Sequence, residues 1–191
     1  AHRRFVRIVL PVAPWVFGCA GAAYALLPQL LSKSAGDAPI AFSGLMTVIT
    51  LGCGVGIQML GKVIDTSRSA RASAVAMGVI TVGTILGAVA SHTRSLPLGI
   101  AGAAVMGAGY GLALVAGLSE VQRIARAEEL AGLTAVYYSV SYTGFFIPMA
   151  FSALAPLLGF TTLFLIGAVL ALCCLVNVVL GWRAHLPGPV R

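Results

Sequence analysis

Charge is what this sequence has least of. The 191 residues include twelve Lys or Arg and five Asp or Glu, 9% of the chain, where a soluble domain carries about 25%. Hydrophobic residues make up 59%, and the mean hydropathy is +1.00. A soluble fold of this length cannot hide so much apolar surface, so lipid is the solvent for much of it. Cysteine is sparse as well. Cys19, Cys53, Cys173 and Cys174 all fall inside apolar runs, without the spacing of a zinc site or a loop that could pair two of them. They read as small apolar fillers, and no metal or cofactor is expected. There is no H-E-x-x-H, G-x-S-x-G or P-loop, and no acidic pair at membrane depth, which argues against an enzyme. No soluble domain offers a basic face, so nucleic acid is not expected as a partner.

What is present is length in the apolar runs. Six segments approach or exceed the roughly 20 residues of a bilayer-crossing helix: 8–31, 40–60, 72–90, 96–118, 130–154 and 160–182. Their continuity excludes outer-membrane strands, which are about half as long and alternate. The first run is too long for a signal-peptide core of roughly 7–15 residues. The chain opens on Ala1, not Met, and reads as a fragment or a processed product. With the N-terminus placed in the cytoplasm, Arg3, Arg4, Arg7, Lys62, Arg68, Arg71, Arg123, Arg126, Arg183 and Arg191 all lie inside, and only Lys33 and Arg94 outside. The positive-inside rule then predicts that both termini are cytoplasmic, and the net charge of +7 faces anionic lipid.

No Asp, Glu, Lys, Arg or His falls clearly within a predicted span, so the chain supplies no intramembrane proton or ion relay of its own. The polar groups at membrane depth are hydroxyls, amides and aromatics. In the fifth span Thr134, Tyr138, Ser141 and Phe145 share one helix face, and Tyr137, Ser141, Gly144 and Pro148 form an adjacent stripe. Two readings stand: lining of a water-filled cavity by a helix that must bend, or bonding to neighbouring helices and backbone. Tyr24 and Gln29 in the first span and Tyr110 in the fourth are further cavity candidates; Gln58 and Asn177 invite the same question. Pro11, Pro14 and Pro28 mark kinks in the first span. Gly52/Gly56, Gly83/Gly87 and Gly107/Gly111 are G-x-x-x-G pairs that permit close helix packing. "GAGYG" at 107–111 lacks the G-x-G-x-x-G order and follows no strand, so it is not read as a nucleotide loop.

The loop "GKVIDTSRSAR" at 61–71, the glycine-rich fourth span running into "GLSEVQRIARAEELAGLTAVYYSVSYTGF", and the basic entry "HRRFVR" together resemble the C-terminal six-helix half of the major facilitator superfamily, in its bacterial, drug-efflux-like members. The resemblance covers essentially the whole chain. The loop resembles the second-half copy of the signature G-x-x-x-D-[RK]-x-G-R-[RK]. Gly61 and Asp65 match, Thr66 replaces the basic residue, Arg68 stands where the second Gly belongs, Ser69 and Ala70 replace the basic pair, and Arg71 falls one place late.

The resemblance implies an all-α membrane fold of six transmembrane helices as two inverted three-helix repeats. It implies spans one and four on a cavity, two and five flanking it, and three and six toward lipid. The single bundle 1–191 is then half of a twelve-helix secondary transporter of the bacterial inner membrane, moving a small organic solute by alternating access. Its partner is a missing N-terminal half, which would have to carry any proton-coupling carboxylate. Gly61, Asp65, Arg68 and Arg71 become candidates for a conformational loop. A self-contained six-span homo-oligomeric channel or carrier is the alternative.

Overall fold

The computed structural model describes residues 3–66 and 69–181. Within them six helices are long and apolar enough to cross a membrane, and there is no strand. α1 covers Phe5–Ala35, α2 Pro39–Ile64, α3 Arg71–Thr93, α4 Leu96–Ile124, α5 Leu130–Leu158 and α6 Phe160–Gly181. Short connections reverse the chain between consecutive helices, although α2 packs mainly on α4 and hardly on α3. Pro39 and Pro97 sit in the first turns of α2 and α4, where a missing N–H costs nothing. Gly36 (φ 62°) and Gly159 (φ 75°) supply left-handed turns after α1 and α5.

Two helices are interrupted where proline removes a backbone donor. α1 widens into π turns at Phe5–Val9 and Ala22–Leu26, just ahead of Pro11 and Pro28. Pro11 cannot bond the carbonyl four residues back, that of Arg7. The Asn177 amide of α6 donates to that carbonyl at 2.8 Å. A polar residue near the end of an apolar span is thus explained by the backbone group a proline released. α5 tightens into a 3-10 turn at Thr143–Phe145, immediately before Pro148.

α4 is the hub. It packs on α1, α2, α3 and α5, and α3 packs in turn on α6. Glycine sets the closest crossings. A Cβ at Gly107 or Gly111 would run into the carbonyls of Thr50 and Gly54 on α2, so the α2–α4 contact is backbone against backbone. Gly83 seats Met106 and Gly87 seats Phe164. Gly52 and Gly56 face open space, so one of the three glycine pairs is outside this packing. The core runs along α1, α3 and α4 through Val16, Leu27, Met77, Ile80 and Met106, all fully buried.

Coverage of the spans is uneven. In their most apolar windows α1 is 67% buried, α3 61% and α4 50%, but α2 is 22% and α5 11%. α3, expected toward lipid from the resemblance, is more than half covered, because α4 and α6 flank it. The helices least covered by the others are α2 and α5.

Candidate functional site

At the end of the bundle where α1 begins, four side chains form a charge chain across three helices. The Arg4 guanidinium donates from Nε to Glu120 Oε2 at 2.6 Å and from Nη2 to Oε1 at 2.9 Å, a two-pronged pair with almost no exposure on either side. Glu120 also accepts from Arg123, one turn on. Arg123 Nη2 reaches both Asp65 oxygens at 3.1 and 3.0 Å. Arg4, at the mouth of α1, is thereby tied through α4 to the end of α2. The arrangement follows from local sequence. Helix α4 continues six residues past its apolar run, to Ile124, since "SEVQRI" contains no breaker, and Glu120 and Arg123 share a face at i, i+3. The span limits expected from hydropathy leave Glu120 in a loop. The structure corrects this: Glu120 is 1% exposed inside α4, and Arg4 is 0% exposed at the start of α1. Each makes the other's burial tolerable.

The sequence-marked loop is built around the same chain. Gly61 is buried against Val115 of α4, where a Cβ would come within 3.1 Å of the valine. The N–H of Asp65 closes α2 on the Gly61 carbonyl at 2.9 Å. Arg71 Nε donates to the Ile64 carbonyl at 2.8 Å and so caps the C-terminus of α2 from the next helix. Arg68 lies outside the described residues.

At membrane depth a second feature is open rather than buried. Phe17 of α1 stacks on Tyr142 and Phe145 of α5, both with centroids at 5.0 Å and planes within 8° and 19°. Tyr110 of α4 lies 6.4 Å from Phe17, and Tyr138 lies 6.4 Å from Tyr142. Tyr142 is 53% exposed and Phe145 42%. The rings make a shelf across α1, α4 and α5. It sits where Gly144 lets α5 approach the Pro14–Gly18 backbone of α1, beside the 3-10 turn. Stacked rings of this kind are worth about 0.5–1.5 kcal/mol per pair beyond area.

The structure separates the two fifth-span stripes. Tyr137 is fully buried against Gly117, and its hydroxyl donates toward the carbonyls of Ala113 and Leu114 at 3.3 and 3.2 Å. Ser141 is fully buried and donates to the Tyr137 carbonyl at 2.9 Å. Both hydroxyls are thus used within the bundle. Thr134 and Tyr138 are half-buried on the side of α5 that also carries Tyr142. Tyr24 is half-buried in the second π turn of α1. Gln29 is exposed at the far end of α1, about a bundle length from the charge chain in sequence register, and faces a different pocket. Arg4, Glu120 and Arg123 were not among the sequence candidates. The available signal was an acid and a base at i, i+3 just past an apolar run. Phe17 gave no signal, since a lone Phe in an apolar helix is ordinary. Among the described residues no cluster of His, Cys, Asp and Glu could hold a metal.

No family model matches the chain, and no curated protein or solved structure matches it either.

Proposed function

We propose that these six helices form one half of a secondary transporter of the major facilitator type, which moves a small organic solute by alternating access in a bacterial cytoplasmic membrane, with both ends of the bundle's chain inside. The observation that carries this reading is the open aromatic shelf within the apolar spans of α1, α4 and α5, where α5 tightens into a 3-10 turn and α1 has π turns on either side of Phe17. Local departures from α geometry beside a site between helices are a recurrent transporter device, and irregular backbone in an apolar span needs a cavity or protein beside it. Two further features agree. The barely covered α2 and α5 leave a face for a partner half. The charge chain joins the ends of α1, α2 and α4 at the side assigned to the cytoplasm, where a partner half could be held or released. With no charged side chain on the shelf, the solute would be neutral or amphipathic, and a coupling carboxylate would come from the other half. The same open face would suit a second copy in a homo-oligomeric carrier, and the mass of the purified assembly separates the two.

Single cysteines in a cysteine-free, full-length background test the cavity. Tyr142→Cys and Thr134→Cys should react with a water-soluble thiol reagent and be protected by transported solute. Ser141→Cys, fully buried here, should stay unreactive. Absence of labelling at both Tyr142→Cys and Thr134→Cys in both access states would remove the cavity.

A further inference from the structure

The pocket at the far end of the bundle has a composition unlike the rest of the surface. It holds about 510 Å³ and is lined by Gln29, Ser32, Lys33, Ser34 and Arg94, with Leu30 and Phe160 as its apolar wall. Lys33 lies in the last turn of α1 and Arg94 directly follows α3, so two helix ends distant in sequence bring their cations to one concavity. These are the same two cations that the charge count sets apart from the other ten. Neither makes an ion pair among the described residues. The acid nearest in sequence, Asp37, is exposed, is not part of the lining, and is not bonded to either.

Arg94 carries a second, independent mark. It is the one non-glycine residue among those described with positive φ, at 56°. The position after a helix usually falls to Gly or Asn, and a left-handed Arg stores strain. The chain keeps a long cation where glycine would fit more easily. One guanidinium nitrogen donates to the Leu30 carbonyl at 2.9 Å, which anchors the side chain over the end of α1. Guanidinium has five N–H donors in a fixed fork, so the remainder are available to the pocket. The Ser32 hydroxyl donates its proton to the Gln29 carbonyl at 2.9 Å and so offers the pocket no donor; the Gln29 amide and the Ser34 hydroxyl join the two cations as the donors of the lining, which contains no acid.

From these observations we infer that the Lys33–Arg94 pocket binds a phosphate-type anion, with the apolar wall of Leu30 and Phe160 against the organic part that carries it. Arg presents a fork matched to phosphate oxygens and Lys a mobile point charge. The pocket opens where α1 and α3 leave the apolar zone, so the anion can arrive as a lipid headgroup or as a soluble phosphate ester. Its place at the opposite end from the charge chain makes it separate from the transport reading, and it stands whether or not that reading does.

The test uses the purified full-length protein in phosphatidylcholine nanodiscs. Phosphatidylglycerol is titrated in one arm and glycerol 3-phosphate in the other. The expected result is saturable binding in one arm or both, with the responding arm identifying the source. That binding should weaken about tenfold or more in Lys33→Gln and in Arg94→Gly, the scale of one charge-assisted hydrogen bond. It should also fall as salt screens the exposed cations. Arg94→Gly suits the left-handed turn and therefore removes the cation without straining the fold. Lys33→Gln changes an exposed side chain, and Lys33→Arg should retain binding. Absence of binding in both arms overturns the site, and so does binding that both variants leave unchanged.

Discussion

Replacing Glu120 with alanine should destabilise the bundle by about 3–5 kcal/mol, the cost of removing one member of a buried ion pair. The magnitude rests on exposure. The Arg4 and Glu120 side chains are 0% and 2% exposed and joined by bonds of 2.6 and 2.9 Å, so the truncation takes the paired carboxylate away from a guanidinium buried from water. Arg4→Ala should cost a similar amount, because the buried Glu120 carboxylate is then neutralised by Arg123 alone, which is also shared with Asp65 at the end of α2. The double variant Arg4→Ala/Glu120→Ala removes both charges together and should lose no more than either single. The single losses and the double loss therefore disagree by about 3 kcal/mol or more, well outside the additivity of independent sites. The assay is reversible unfolding of the purified protein in mixed micelles by denaturing detergent, followed by circular dichroism, for all four members of the cycle. Additive losses would refute the coupling, as would a Glu120→Ala variant within about 1 kcal/mol of native.

Three other outcomes are expected. Asn177→Ala should cost about 1–2 kcal/mol by stranding the Arg7 carbonyl, and Pro11→Ala should recover most of that by restoring the helical donor; unfolding midpoints of the single and double variants decide it. Gly111→Ala should lose about 1–3 kcal/mol by forcing α4 off α2, whereas Gly52→Ala and Gly56→Ala, which meet nothing within 4 Å, should be neutral or gain up to about 1 kcal/mol of helix propensity in the isolated bundle. On the proposed two-half arrangement, loss of stability in those two only in the presence of the partner half would locate the partner surface on α2. On the proposed transport function, Asp65→Asn, which keeps the shape of the contact with Arg123 but removes its charge, should leave membrane insertion unchanged while solute uptake or efflux by proteoliposomes slows; an unchanged transport rate would leave Asp65 a capping residue only.

Hydropathy alone determined the number and order of the helices. Lipid requires every spanning backbone group to be satisfied within its own helix, so a long apolar run becomes a helix whatever its neighbours are. It placed most boundaries within a few residues, and the prolines of α1 marked where that helix would depart from regular geometry. What hydropathy could not rank was the ends. Glu120 looks like loop by charge, yet α4 carries it into the interior because Arg4, 116 residues earlier, is there to neutralise it. Only tertiary structure brings those two together. The same holds within α5. Period alone puts Tyr137, Tyr138, Ser141 and Phe145 on neighbouring stripes; which stripe is buried depends on where Gly117 of α4 and Gly18 of α1 leave room. The glycine pairs were legible as packing devices, but their partners were not, since a missing side chain carries no address. Lys33 and Arg94 show the limit most clearly: the sequence set them apart from the other cations by topology, and only the folding of α1 beside α3 made them two walls of one pocket.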